Sequence, residues 1–122
     1  MQWNFDAKQP IYLQIVDALT RSILRGEYPP GSRLPSVREL AFEASVNPNT
    51  MQRAMTELET RQLAETKRNT CRTVTSDEAV IGKTRKEEAG TLTRAYLDDM
   101  DELGMQLEQT LELVAELGKK GN

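Results

Sequence analysis

The stretch "SVRELAFEASVNPNTMQRAM", residues 36–55, contains two helix starts. Ser36 is followed three positions later by Glu39, the pattern of a capping box, in which the serine hydroxyl and the glutamate carboxylate satisfy free N–H groups of the first turn. Val37, Leu40, Ala41 and Ala44 then lie on one stripe, and the pattern gives out at Ser45-Val46. Asn47 is a second N-cap, with Pro48 at the first helical position, where its missing N–H costs least. Met51, Ala54, Met55 and Leu58 follow at helical spacing. Two short amphipathic helices joined by so tight a turn predict a helix-turn-helix.

Working outward, "PIYLQIVDALTRSILRG" (10–26) places Tyr12, Ile15, Val16, Leu19 and Ile23 at helical spacing between a starting Pro10 and a stopping Gly26. The three prolines and one glycine of "EYPPGSRLP" (27–35) exclude regular structure and mark a packed connection between helices. On the other side, "QLAETKRNTCRTVTSD" (62–77) has extended, β-branched ends around a polar tip and predicts a β-hairpin. Residues 1–9, with Trp3 and Phe5 on one face if extended, read as a short strand. Over 77–103 the apolar positions Ile81, Ala89, Leu92, Tyr96, Met100 and Leu103 recur at threes and fours, and Gly104 ends that helix. A last helix over 106–117 aligns Leu107, Leu111 and Val114, with Leu113 and Leu117 widening the stripe.

With 122 residues and 5% aromatics the core is small, so a partner subunit is an expected source of further stability. No apolar run approaches the roughly 20 residues of a membrane span, and the N-terminus shows no secretory pattern, so the expected location is the cytoplasm. The acidic polar face of the tail also opposes binding to anionic lipid. Zero histidines and one cysteine leave no zinc-type ligand set and no internal disulfide, and neither a metal nor a cofactor is expected. The net charge of -3 conceals a segregation: residues 1–75 hold ten Lys+Arg against eight Asp+Glu, and residues 76–122 six against eleven. A polyanionic partner would therefore meet the first part.

The residues offer little to an enzyme. Histidine is absent, as are nucleophile-elbow and phosphate-loop motifs, and the run "DDMDE" (98–102) reads as a solvated helix face. Cys71 reads as a tolerated surface thiol, with redox sensing as the alternative. The second helix of the pair is more informative. With its apolar stripe turned inward, Asn49, Thr50, Gln52, Arg53 and Thr56 project outward. Asn and Gln can bond adenine bidentately and Thr can pack a thymine methyl, so this is a face suited to reading base edges. Asn47 is a cap first and a DNA contact second. Arg33, Arg38, Lys67, Arg68 and Arg72 would supply sequence-independent phosphate contacts. Arg61 is left out, as a partner for Glu57 or Glu59.

The runs "PPGSRLPSVRELA" and "VNPNTMQRAMTELE", within a match over residues 10–75, resemble the winged helix-turn-helix of the GntR family of bacterial transcriptional regulators, and the "NPNT" form with its short tail is similar to the YtrA-type subgroup. The resemblance implies a mainly α fold with a small β-hairpin wing: a winged helix-turn-helix domain over 1–76 and a helical dimerisation tail of two helices over 77–122. It implies DNA contacts at Arg38, Asn47, Asn49, Thr50, Gln52, Arg53 and the hairpin tip, and a dimer seam along Leu92, Tyr96, Met100, Leu103, Leu107, Leu111 and Val114. It further implies a homodimer binding an inverted-repeat operator in double-stranded DNA, often that of its own operon with transporter genes. A tail of about 45 residues is too small to enclose a drug-sized cavity within one chain, so an effector, if any, is expected between subunits. A helical protein–protein adaptor is the alternative. Glycines usual to the family are missing from the wing: Gln62 opens the hairpin and the tip reads "KRNTCRTV", where Asn69 is the residue best able to turn left-handed.

Overall fold

Both helix starts between residues 36 and 55 form. The computed structural model describes residues 3–68 and 71–120, in two units, Met1–Lys83 and Thr84–Asn122. In the first, α1 (Ile11–Arg25), α2 (Val37–Ala44) and α3 (Pro48–Thr60) precede the hairpin strands β1 (Ala64–Lys67) and β2 (Cys71–Val74). Ser36 accepts from the Glu39 N–H at 3.1 Å while Glu39 accepts from the Ser36 N–H at 3.2 Å, closing the capping box. Asn47 Oδ1 accepts from the Asn49 N–H at 2.7 Å, and Pro48 occupies the first turn. Between them Ser45 turns left-handed at φ 56°, and the Val46 N–H reaches back to the Ala41 carbonyl at 3.0 Å. That single reversal sets α2 against α3.

α3 is the hub, touching α1, α2 and β1. Met51, Ala54, Met55 and Leu58 are fully buried, facing Ile15, Val16 and Leu19 of α1 and Leu40 of α2 within one core. Each of the larger of these side chains contributes about 1.5–3 kcal/mol by leaving water, and the Ala54 methyl under about 1 kcal/mol. The strands pair antiparallel in the register Ala64 with Val74 through Lys67 with Cys71.

Two segments differ from the sequence reading. The proline-rich connection ends in a strand-like edge: the Gly31 N–H donates to the Val74 carbonyl at 3.0 Å, the Val74 N–H to the Ser32 carbonyl at 2.8 Å and the Leu34 N–H to the Arg72 carbonyl at 2.9 Å. The prolines only bracket this edge, so its own N–H donors are available to β2. Residues 3–9, read as a strand, form none. Trp3 and Phe5 pack their rings on each other at 6.1 Å, and Gln14 holds the segment by accepting from the Asp6 N–H and donating to the Asp6 carbonyl, both at 2.7 Å. With no neighbouring strand to bond, a side chain of α1 satisfies this backbone instead.

α4 (Glu78–Glu102) begins on a local cap, the Ala79 N–H donating to Asp77 Oδ1 at 3.0 Å. Its first turn belongs to the first unit, where Ile81 is buried and Val80 packs on the core. In the second unit the chain turns at Gly104, φ 80°, into α5 (Leu107–Lys120). Met100 and Thr110 are buried, whereas Leu92, Tyr96, Leu103, Leu107, Leu111, Val114 and Leu117 stay exposed. Met100, expected along the seam, lies near the turn with its side chain already covered in the single chain.

Candidate nucleic-acid interface

The outward face of α3 carries Asn49, Gln52, Arg53 and Thr56, all exposed, with Thr50 half-buried at its side. Nothing acidic interrupts the first two turns. The acids of the later turns are Glu57 and Glu59, and both are occupied by arginines. Arg61 Nε meets Glu57 Oε2 at 2.8 Å, the pairing expected of Arg61. Glu59 Oε1 accepts from Arg72 Nε and from the Thr66 hydroxyl, the latter at 2.9 Å. Arg72, expected as a phosphate contact, is engaged within the molecule through its Nε, and its side chain is only 17% exposed.

That contact also fixes the hairpin. Thr66 and Arg72 are register partners on β1 and β2, so one carboxylate of α3 holds both strands. Burial raises the Glu59 pKa, but hydrogen bonds from Arg72 and Thr66 and the Arg72 charge outweigh it and hold the carboxyl below its ordinary range. Glu39 is lowered as well, first by the Ser36 backbone N–H and then by the Ser36 hydroxyl.

Beside α3 lies an open groove lined by Arg33, Arg38, Gln52, Thr66, Cys71 and Arg72. The strand-like edge brings Arg33, the first turn of α2 brings Arg38, and α3 contributes Gln52, whose amide also donates to the Thr56 hydroxyl at 3.3 Å. Thus Arg33, Arg38 and Gln52, distant in sequence, share one concavity between helix and hairpin. Lys67 and Arg68 are exposed at the hairpin end, with Lys67 Nζ a loose 3.9 Å from Glu65. Arg68 takes a positive φ of 39°, and Asn69, to which the left-handed turn was assigned, lies outside the described residues. Gln62, standing where the family often has glycine, is left-handed at φ 66°. The conformation glycine would supply is kept without it.

Two contacts escaped the sequence reading. Glu59 as the hairpin's anchor is one. The other is Tyr12, whose ring lies under the Arg53 guanidinium, Cζ 3.7 Å from the ring centroid. Tyr12 sits on the apolar stripe of α1 by spacing, which identified it as core and concealed that its ring also reaches the polar face of α3.

A helix-turn-helix whose second helix exposes amides, hydroxyls and an arginine, flanked by an arginine-lined groove and a hairpin, defines a winged helix-turn-helix DNA-binding protein. The profile of the gntR family of bacterial regulatory proteins matches residues 11–74. The HTH-type transcriptional regulator YhcF of Bacillus subtilis is 35% identical over 92% of this chain and 93% of its own length. The HTH-type transcriptional repressor YtrA of the same organism is 48% identical over 59 residues, 48% of this chain and 45% of YtrA. A GntR family transcriptional regulator from Listeria monocytogenes has the same fold at TM-score 0.85 and 38% identity, covering 92% of this chain and 98% of that one. The chain belongs to the GntR family, and it is a DNA-binding transcriptional regulator. The family and these relatives are transcription regulators, not enzymes. Among the described residues, no helix is long and apolar enough to cross a membrane.

Proposed function

We propose that the protein is a homodimeric repressor, acting in the cytoplasm on an inverted-repeat operator of its own operon, with transporter genes as its targets. The observation that carries this reading is the acid-free polar face of α3 beside the Arg33–Arg38 groove. α3 enters the major groove and Asn49, Thr50, Gln52 and Arg53 read bases. Arg33, Arg38, Lys67 and Arg68 contact phosphates. Asn47 spends its carbonyl oxygen on the cap and contributes, if at all, through its amide nitrogen. Repression is favoured by similarity to YtrA, which is named a repressor.

The partner subunit is a second copy. The exposed Leu92, Tyr96, Leu103, Leu107, Leu111 and Val114 form the seam, and apolar surface of this extent on two helices calls for cover. A small-molecule effector, if the protein has one, sits between subunits. Selection of bound sequences from random DNA tests the reading. A palindromic consensus, protected by footprinting upstream of the protein's own gene and bound with an affinity that falls steeply with salt, is expected. Absence of any selected sequence at low salt, together with a stable partner of a different kind on α4 and α5, would replace it with the adaptor reading.

A further inference from the structure

We propose that Tyr12 is a positioning residue for base recognition: from α1, outside the helix-turn-helix, its ring holds the Arg53 guanidinium flat so that the donor edge is presented to a guanine. This rests on the reading that α3 enters the major groove. Arg53 is exposed on α3 with Cζ 3.7 Å from the Tyr12 ring centroid. The ring is itself immobilised, half-buried against the core on the first turn of α1. A free arginine has many rotamers, and fixing one before DNA arrives removes part of the entropic cost of the contact.

The chemistry of the holder matters. Arg61 and Arg72 are each held by a carboxylate of α3, which takes the Nε–H and sets a negative charge beside the guanidinium. Among the described residues no carboxylate pairs with Arg53. An aromatic face restrains a guanidinium through its π surface and leaves the in-plane donors unspent. Those donors match guanine O6 and N7, the commonest arginine–base contact. The molecule thus restrains two arginines through a carboxylate that offsets their charge and one through a ring that leaves its charge unpaired.

The test uses the full chain and the operator selected by the wild type. Affinities are measured for that operator and for versions changed one base pair at a time, with the wild type, Tyr12→Phe, Tyr12→Leu, Arg53→Ala and the Tyr12→Leu/Arg53→Ala double variant. Tyr12→Leu should weaken operator binding about three- to fivefold per half-site. The loss should fall as reduced discrimination at the base pair that Arg53→Ala also affects, with binding to random DNA unchanged. Tyr12→Phe should behave as wild type, and Tyr12→Leu should cost nothing further once Arg53 is alanine. Additive losses in the double variant would overturn the proposal, as would a Phe variant as weak as Leu, which would assign the role to the hydroxyl. If Tyr12→Leu fails to fold, wild-type discrimination retained by Tyr12→Phe at the Arg53 base pair supports the proposal and its loss overturns it. A wild type that selects no sequence removes the DNA reading itself, an outcome distinct from a selected operator without coupling.

Discussion

On α3, Met51, Met55 and Leu58 expose nothing, whereas on α5 Leu107, Leu111, Val114 and Leu117 each leave about half their surface exposed. The sequence periodicity is the same in both helices, and the difference lies in what surrounds them. α3 meets α1, α2 and β1 within its own chain, so its stripe is satisfied by residues of the first unit. Among the described residues the second unit has two helical segments and one turn, and apart from Met100 and Thr110 it leaves its large apolar side chains largely uncovered. An amphipathic helix therefore states that a partner exists without stating in which chain.

Cutting the chain after Lys83 is the most severe way to test that contrast. If the second unit supplies the dimer, residues 1–83 should remain folded but run as a monomer by light scattering. Operator affinity should fall by about 10²–10⁴-fold, because the two half-site contacts are no longer linked. A shortened protein that still dimerised would break the comparison. The cut site matters as well. Ending at Thr75 removes Val80 and Ile81 from the first unit's core and should cost about 2–4 kcal/mol more, read from urea titrations.

Matched truncations within each stripe come next. Leu58→Ala should destabilise the protein by about 2–5 kcal/mol at any protein concentration, since the cavity lies inside one chain. Leu111→Ala should leave the isolated chain's stability nearly unchanged and instead weaken self-association, making the Tm depend more strongly on concentration. Identical behaviour of the two variants would erase the distinction between units.

A smaller effect belongs to the joint between α3 and the hairpin. Glu59→Gln keeps the shape but gives up the charged hydrogen bond to Arg72, whose guanidinium stays mostly covered, and should cost about 1–2 kcal/mol after allowance for the partial exposure of the carboxylate. The same contact predicts a pH dependence. The folded carboxyl binds its proton less readily than the unfolded one. Its stabilisation is therefore complete above the ordinary value near 4.5 and lost as pH falls through the lower folded value. Stability of the wild type should decline below about pH 4.5 more steeply than that of Glu59→Gln, measured by thermal melts across pH.

What could be read directly from the residues was whatever depends on near neighbours. The Ser36–Glu39 box, the Asn47–Pro48 start and the stripes of α1 and α3 are fixed by positions three or four apart, and each formed as read. Contacts between elements were hidden. Nothing in the sequence around Tyr12 points to Arg53, and nothing around Glu59 selects Arg72 over Arg61, because those choices depend on how α1 and the hairpin approach α3. The edge at Gly31–Leu34 was masked by the surrounding prolines, and the strand read at residues 1–9 rested on alternation alone, with no neighbouring strand to bond. Of the interface, the polar face of α3 was legible and the groove that gathers Arg33, Arg38 and Gln52 was not.

The smallest predicted effect concerns the hinge between α3 and β1. Gln62 holds φ 66°, and its N–H bonds the Glu59 carbonyl at 2.9 Å while the Leu63 N–H bonds the Leu58 carbonyl at 3.0 Å. A side chain in that region costs about 1–2 kcal/mol in an ordinary L-residue, whereas glycine adopts it freely but loses more entropy on folding. Gln62→Gly should therefore stabilise the first unit by somewhat under 1 kcal/mol, and Gln62→Val, whose branched side chain tolerates the left-handed region least, should destabilise it. Because the hydrogen bonds belong to the backbone, neither variant should alter which base pairs the protein prefers. Gly more stable than Gln and Gln more stable than Val, with one unchanged operator preference, is the order expected from chemical denaturation and competition binding. A Gly variant no more stable than wild type would mean that the Gln62 side chain makes its own contribution to the joint.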